Sequence, residues 1–460
     1  MPSVLLFADM DSQIIGALPF ARSFATAGWD VTFCVPRPDH IPAPLLRSVQ
    51  DDFAIVSEPI VTLAFSDLLD GVDAVGIFAA GSKIARFRAD MALVFAMAGS
   101  RPFIFTGYNG VVYERYEEGV FWRLGYDVIC LNGPRDALLF QAAVTGSRFA
   151  HQPYVITGLN KPRTESLPTP RPTAVFAEQV IVPQTYTERR WMFRGLSALA
   201  AHNPDWDLII KPRIRPGERT FHRSVLHPEQ AIRRAPANLR MSYESLETLL
   251  ASASLLLTVS STSFFDAIAA RVPVAVIGDF GVRNSIGTHY FANSGVVTYL
   301  RTPEKLEDIV TRQPSKDWLY ASGATDAHSP ETLIEAIGRW TPGPLPEAMP
   351  VEQMAPLSST EAAASAADRA VSHGNTALRN RNFRGALTSF ASALEAEPAC
   401  EPAVRGLVTA LLETGEIEEA RKHYETFPQI VRANQNRKTP LSSVVAKTIA
   451  RLGASLSLRP

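Results

Sequence analysis

A chain of 460 residues is too long for one ordinary hydrophobic core, so two or three domains are expected. With 46% hydrophobic residues, 20% charged residues and a net charge of -1, the composition excludes a disordered chain and argues against nucleic acid as the main partner. The three cysteines, Cys34, Cys130 and Cys400, are too widely spaced for a disulfide framework or a metal knuckle, and they fit a reducing compartment.

The apolar run 4–8 predicts a buried strand, and the chain leaves it through Asp9, Met10, Asp11 and Ser12. The opening MPSVLLFADMD lacks the basic region and cleavage site of a signal peptide, so it reads as this first strand. No apolar stretch reaches the ~18 residues of a membrane span. Periodicity over 14–27, closed by Gly28, predicts a helix, and 30–35 the next strand, which makes a βαβ unit. The glycine fingerprint of a dinucleotide site is absent there, which counts against hydride transfer. Strands at 73–79, 102–106, 127–131 and 153–157, with helices at 84–97 and 136–145, continue the alternation. Such spacing indicates a parallel sheet covered on both faces, in a first domain spanning 1–165.

The segment KPRTESLPTPRP (161–172) reads as a linker. A second α/β domain, 173–340, begins with a strand at 174–182 and a helix at 188–201. A strand at 208–210 ends in Lys211, Pro212 and Arg213, and a short helix is expected at 246–251. The stretch 255–280, LLLTVSSTSFFDAIAARVPVAVIGDF, reads as strand, hydroxyl-rich turn, helix, strand. The segment 284–293 contains Asn284 and His289, and 302–310 is expected to be helical. Proline, alanine and serine in 341–364 suit a flexible linker. In 365–430, Gly374, Ala386, Phe390, Ala393 and Pro398 fit the small, aromatic and helix-ending positions of a helical repeat. A period of about 34 residues carries Ala386 to Ala420 and Phe390 to Tyr424. Residues 431–460 combine basic and apolar groups at helical spacing; a capping helix or tail is expected, with peripheral membrane contact as the alternative.

Ligands of open parallel sheets sit at the carboxyl ends of strands, facing helix N-termini. Ser260, Ser261, Thr262 and Ser263 occupy such a junction and, with backbone N–H groups, suit an anion; the competing reading is a plain helix cap. Lys211 and Arg213 suit a phosphate or diphosphate, against the alternative of a solvated loop pair. Asp9 and Asp11 are the carboxylates at the end of the first strand. They can act as a general base, cap the following helix or, third, bind a divalent ion. Glu114, Glu117 and Glu118 are reserve candidates for the base, and Arg283, Asn284 and His289 are candidates to contact a sugar or its phosphate. No metal is required by this set.

With Lys211, Pro212 and Arg213 after one strand and Ser260, Ser261 and Thr262 after another, the sequence resembles nucleotide-sugar glycosyltransferases of the two-Rossmann-domain (GT-B) architecture. Among these it is most similar to bacterial capsule and sialic-acid-type transferases. In those enzymes a histidine–proline motif and a serine-pair motif contact the donor phosphate. The serine motif matches at 260–262; at the expected strand Lys211, Pro212 and Arg213 replace the histidine–proline pair, while His227 and Pro228 follow a polar loop. The resemblance implies an α/β fold of two Rossmann-like doubly wound domains, the first on the acceptor side and the second binding the nucleotide sugar. A small all-α module resembling tetratricopeptide repeats follows and is expected to bind a protein partner. The implied reaction is metal-independent transfer from a CMP-, UDP- or GDP-linked sugar to a glycan or cell-envelope hydroxyl. No cofactor would be tightly bound, and the enzyme would be cytoplasmic or at the inner face of the membrane. The alternatives are a nucleotide-sugar epimerase or hydrolase, and an interaction protein with a degenerate catalytic body.

Overall fold

The computed structural model describes residues 1–112, 116–159, 161, 167–216, 226–232, 234–349, 366–425 and 427. The first domain is a seven-stranded parallel sheet of β1 (Ser3–Ala8), β2 (Asp30–Cys34), β3 (Ala54–Val56), β4 (Ala74–Phe78), β5 (Phe103–Thr106), β6 (Val128–Leu131) and β7 (Tyr154–Ile156), in the order β3-β2-β1-β4-β5-β6-β7. Its helices are α1 (Asp11–Thr26), α2 (Ala43–Gln50), α3 (Ile60–Leu63), α4 (Gly81–Ala98), α5 (Tyr116–Phe121) and α6 (Pro134–Val144). The strands are continuously apolar because both faces of the sheet are covered. Along β1, Val4, Leu6 and Ala8 join the core of Phe20 and Phe24 from α1, whereas Leu5 and Phe7 join Ile84, Phe87 and Met91 from α4. The two helices therefore cover opposite faces.

The second sheet repeats this plan with β8 (Thr173–Ala177), β9 (Asp207–Lys211), β10 (Leu239–Met241), β11 (Leu255–Thr258), β12 (Val274–Ile277) and β13 (Val297–Thr298), in the order β10-β9-β8-β11-β12-β13. Its helices are α7 (Tyr186–His202), α8 (Pro228–Ala231), α9 (Leu246–Ser252), α10 (Ser263–Ala269), α11 (Thr288–Phe291), α12 (Leu306–Ile309), α13 (Lys316–Ser322) and α14 (Glu331–Gly338). The strand expected at 174–182 stops at Ala177: the Glu178 N–H still donates to the Lys211 carbonyl (3.1 Å), but the chain then folds back in a turn closed between Gln179 and Val182, from which Val180 and Val182 are buried. The helix expected at 302–310 shrinks to the single turn of α12.

The chain then recrosses. Leu333 of α14 lies in the first-domain core with Val4, Leu6 and Phe24, although it falls within the range expected for the second domain. Residues 341–349 also lie against the first domain, in contrast to the flexible linker expected from composition. Prolines lack N–H groups, but their carbonyls still accept. Arg101 donates to Gly343 (2.9 Å), Arg88 donates to Pro346, and Arg148 pairs with Glu347 (2.9 Å). Most of the rest of that expected linker, 350–364, lies outside the described residues, as does the expected tail 431–460 with its capping and membrane readings.

Two helix pairs follow, α15 (Ala366–Arg379) with α16 (Phe383–Ala396) and α17 (Glu401–Glu413) with α18 (Ile417–Glu425). The ring of Phe390 is clasped by two glycines, since a Cβ on Gly374 would meet it at 2.6 Å and one on Gly406 closer still. The small residue of the second unit is thus Gly406, two positions before the Val408 that a strict 34-residue period selects. Among the described residues, no helix is long and apolar enough to cross a membrane.

Candidate active site

Strand order reverses between β1 and β4 in the first sheet and between β8 and β11 in the second. At such a switch point successive loops diverge and leave a crevice beyond the strand ends. Residues 9–12 and 80–83 flank the first crevice, and residues 178–184 and 259–263 flank the second.

In the second domain the hydroxyl cluster divides into roles. Ser260 is buried; its N–H donates to Gln179 Oε1 (3.1 Å) and its hydroxyl to the Ile286 carbonyl. It is a structural tie. Thr258 accepts from the Ser261 N–H (3.3 Å), and the Ser261 hydroxyl accepts from the Ser263 N–H (3.2 Å). Ser263 Oγ is buried without a hydrogen-bond partner among the described residues. Thr262 makes no side-chain cap and reaches the first domain: a Cβ on Gly110 would lie 3.5 Å from its methyl group. Ser261 and Thr262 are half-buried, whereas Ser260 and Ser263 are buried.

Lys211 closes β9. Burial first, and Arg213 second, lower its pKa, against an opposing pull from Glu178. A partly desolvated lysine beside an arginine favours an incoming anion. The Arg213 N–H donates to Glu178 (2.9 Å), and its guanidinium lies 3.6 Å from the Asp11 carboxylate of the first domain. Behind this loop stands Arg189, which is 0% exposed. It pairs with Glu178 and donates to the carbonyls of Gln179 (2.8 Å), Val182 (3.1 Å) and Leu226 (2.9 Å). His227 caps α8, with Nδ1 accepting from Glu229 (3.3 Å) and Nε2 3.0 Å from the Ile214 carbonyl, so it steadies the 211–214 loop from outside.

In the first domain the two aspartates separate. Asp9 has a side chain only 8% exposed, is paired with Lys83, and its N–H donates to Gln13 (2.8 Å). Asp11 is the first residue of α1 and faces the cleft. Ile15 and Pro19 follow it on the same face of the helix. Both line a cavity with Tyr108, Asn109, Asn132 and Lys161 at the ends of β5, β6 and β7. Lys161 pairs across the cleft with Asp266 of α10 (3.1 Å). The two aspartates pair with separate cations, Asp9 with Lys83 and Asp11 with Arg213, and no group of three or more carboxylate, histidine or cysteine side chains that could hold a metal ion occurs among the described residues.

The remaining candidates fall on the rims. Arg283 pairs with Glu188 (2.9 Å) and its N–H donates to Thr288 (2.8 Å). Asn284 is exposed, and the half-buried His289 leaves Nδ1 without a hydrogen-bond partner among the described residues. Glu117 and Glu118 lie on α5, where Glu118 accepts from Trp122 (3.4 Å), while Glu114 lies outside the described residues. Sequence reasoning missed Lys83, Glu178, Gln179 and Arg189. Arg189 did leave a trace: a cation on the apolar stripe of Met192, Phe193 and Leu196.

Residues 4–339 match the model of the family described as "Putative glycosyltransferase (DUF6716)", and residues 377–437 match a tetratricopeptide repeat model. No curated protein matches the chain. Among solved structures, MurG of Acinetobacter baumannii aligns at 14% identity over 74% of this chain and 100% of its own, with a TM-score of 0.40. Arabidopsis thaliana UGT89C1, complexed with UDP-L-rhamnose, aligns at 12% identity over 73% and 93%, with a TM-score of 0.43. MnaA of S. aureus, in a co-structure with UDP, aligns at 11% identity over 72% and 92%, with a TM-score of 0.45.

Proposed function

The chain belongs to the DUF6716 glycosyltransferase family, and from that premise we propose that it moves a sugar from a nucleotide-sugar donor to an acceptor hydroxyl, with Asp11 as general base. The observation that carries this reading is the meeting of Asp11 and Arg213 across the cleft, 3.6 Å apart and one from each domain. A hydroxyl is a weak acid, so a carboxylate must take its proton as the new bond to the anomeric carbon forms. The bond from that carbon to the phosphate oxygen breaks, and the leaving phosphate gathers negative charge. Lys211, Arg213, Ser261 and Thr262 would bind that charge through two cations and two hydroxyls. Arg283, Asn284 and His289 would bound the sugar on the second-domain rim. The cavity beside Ile15 and Pro19 would take the acceptor, one helical turn from Asp11.

A panel of UDP, GDP, CMP and their sugars tests this by calorimetry and thermal shift. One nucleotide should bind and stabilise the protein, by about 2.7 kcal/mol at a hundredfold excess over Kd. No response across the panel would sink the reading. Donor returned as an isomerised sugar, with no acceptor present, would replace transfer by epimerisation.

Lys211 adds a pH signature. Its pKa is lowered in the free protein, and a bound phosphate favours the ammonium form. Nucleotide affinity should therefore fall as pH rises through that lowered value, earlier than an ordinary lysine would dictate. Titrations of wild type and Lys211→Arg across the alkaline range check this: the arginine variant should keep its affinity there, and an identical decline in both would remove Lys211 from the phosphate site.

A further inference from the structure

Helix α4 carries Lys83, Arg86, Asp90, Leu93 and Met97 at intervals of three or four residues, so one stripe runs the length of the helix. At the cleft end Lys83 holds Asp9. The rest of the stripe is the seat of the helical repeats. Arg86 pairs with Glu401, and Asp90, which is 0% exposed, pairs with Arg405. Leu93 and Met97 pack into the repeat core, and the Met97 carbonyl accepts from Arg421 (3.4 Å). Beside α4, the Phe65 ring lies 4.0 Å from Tyr424 and 6.1 Å from Phe427. Glu401 and Arg405 of α17 are thus engaged by the chain's own catalytic body, where a free repeat would offer them to a foreign peptide.

We propose that the repeat module is a positioning element of the active site: docked on α4, it sets Lys83, and Lys83 fixes the Asp9 turn from which Asp11 is aimed. The inference rests on Asp11 as the base. Its physical ground is the single rigid element shared by both contacts, together with two buried carboxylates that have few other ways to be neutralised. Asp90 is left with Arg86 at 3.7 Å once Arg405 is removed, and Asp9 has no other cation in contact among the described residues. Ala80, at the start of α4, offers no side-chain cap, so the first turn depends on such contacts for its placement.

The test uses the full chain carrying Lys83→Met, Arg405→Met and both together. Readouts are the melting temperature, nucleotide Kd by calorimetry with UDP, GDP and CMP, and steady-state kcat and KM with the donor that binds. Each single variant should lower kcat by about 10- to 100-fold, the loss expected of a base displaced by about 1 Å. The nucleotide Kd should stay within about twofold, because the donor wall lies on the other domain. The double variant should be no slower than the worse single one, since both changes act through one series of contacts. Unchanged kcat in Arg405→Met, whatever its melting temperature, would reduce the module to a structural prop and overturn the proposal. Multiplying losses in the double variant would overturn the series. Glu401→Gln and Lys83→Arg serve where the methionine variants do not fold; the first should lower kcat and the second should keep most of it. An Asp11→Asn enzyme with full turnover would instead refute the base assignment, so the two failures are distinguishable.

Discussion

Asp11→Asn lowers kcat by about 100- to 10,000-fold, the range for loss of a general base, while the protein still binds its nucleotide. Asparagine keeps the size and the first-turn position of the aspartate but cannot take a proton. The nucleotide affinity should hold or rise slightly, because Asp11 competes with phosphate for Arg213 in the free protein. The size of that rise is bounded by the pair itself. The Arg213 side chain is 64% exposed and that of Asp11 41%, and ion pairs this exposed contribute about 0–1 kcal/mol, so the gain should not exceed roughly fivefold. Asp9→Asn is the comparison. Its carboxylate is buried against Lys83, so its loss should act through geometry and cost less in kcat than the loss of Asp11. Steady-state kinetics and calorimetry on both variants decide the matter. Turnover abolished by Asp9→Asn and spared by Asp11→Asn would exchange the two roles.

The sequence made the repeating strand and helix pattern legible because both sheets are buried on both faces, and their strands read as unbroken apolar runs. β3, β10 and β13 escaped because they are two or three residues long, too short to carry a period; β7, as short, was marked out only by its place between Pro153 and Gly158. The strand ends were also legible: Asp9 and Asp11 after β1, Lys211 and Arg213 at the end of β9 and 260–263 after β11 all stand where the apolar runs stop. What remained hidden is how those residues are held. Lys83 meets Asp9 over a separation of 74 residues, and Arg405 meets Asp90 over one of 315. No local propensity encodes such pairs. Asp9, a candidate base or helix cap by its place after the first strand, is neutralised by Lys83 of another helix, and one of four equivalent-looking hydroxyls, Ser260, closes a turn. The proline-rich segment after Trp340 misled for a related reason. Its composition reports the missing amide donors, whereas its placement is set by arginines of the first domain that donate to its carbonyls.

Arg189→Met should destabilise the protein by about 3–5 kcal/mol, because removing one partner of a buried ion pair leaves the other charge uncompensated. Arg189 is 0% exposed and Glu178 is buried with it, so water cannot take over the lost contacts. Three carbonyls, those of Gln179, Val182 and Leu226, also lose a donor. For a domain of this size the melting temperature should fall by roughly 10 °C. The same substitution should weaken nucleotide binding in the protein that remains folded, because Glu178 accepts from the Arg213 N–H and a displaced Glu178 releases that loop. Pairing it with Glu178→Leu separates the two effects. Replacing both charges by apolar groups removes the uncompensated carboxylate and should recover much of the stability. It restores neither the donor to the three carbonyls nor the acceptor for the Arg213 N–H, so nucleotide affinity should stay low in a protein that melts above the single variant and below wild type. Denaturant titration with calorimetry on the two variants reads both quantities. A single variant within about 1 kcal/mol of wild type would mean that water or a neighbouring cation reaches Glu178, and the loop would then owe its shape to something other than the buried arginine.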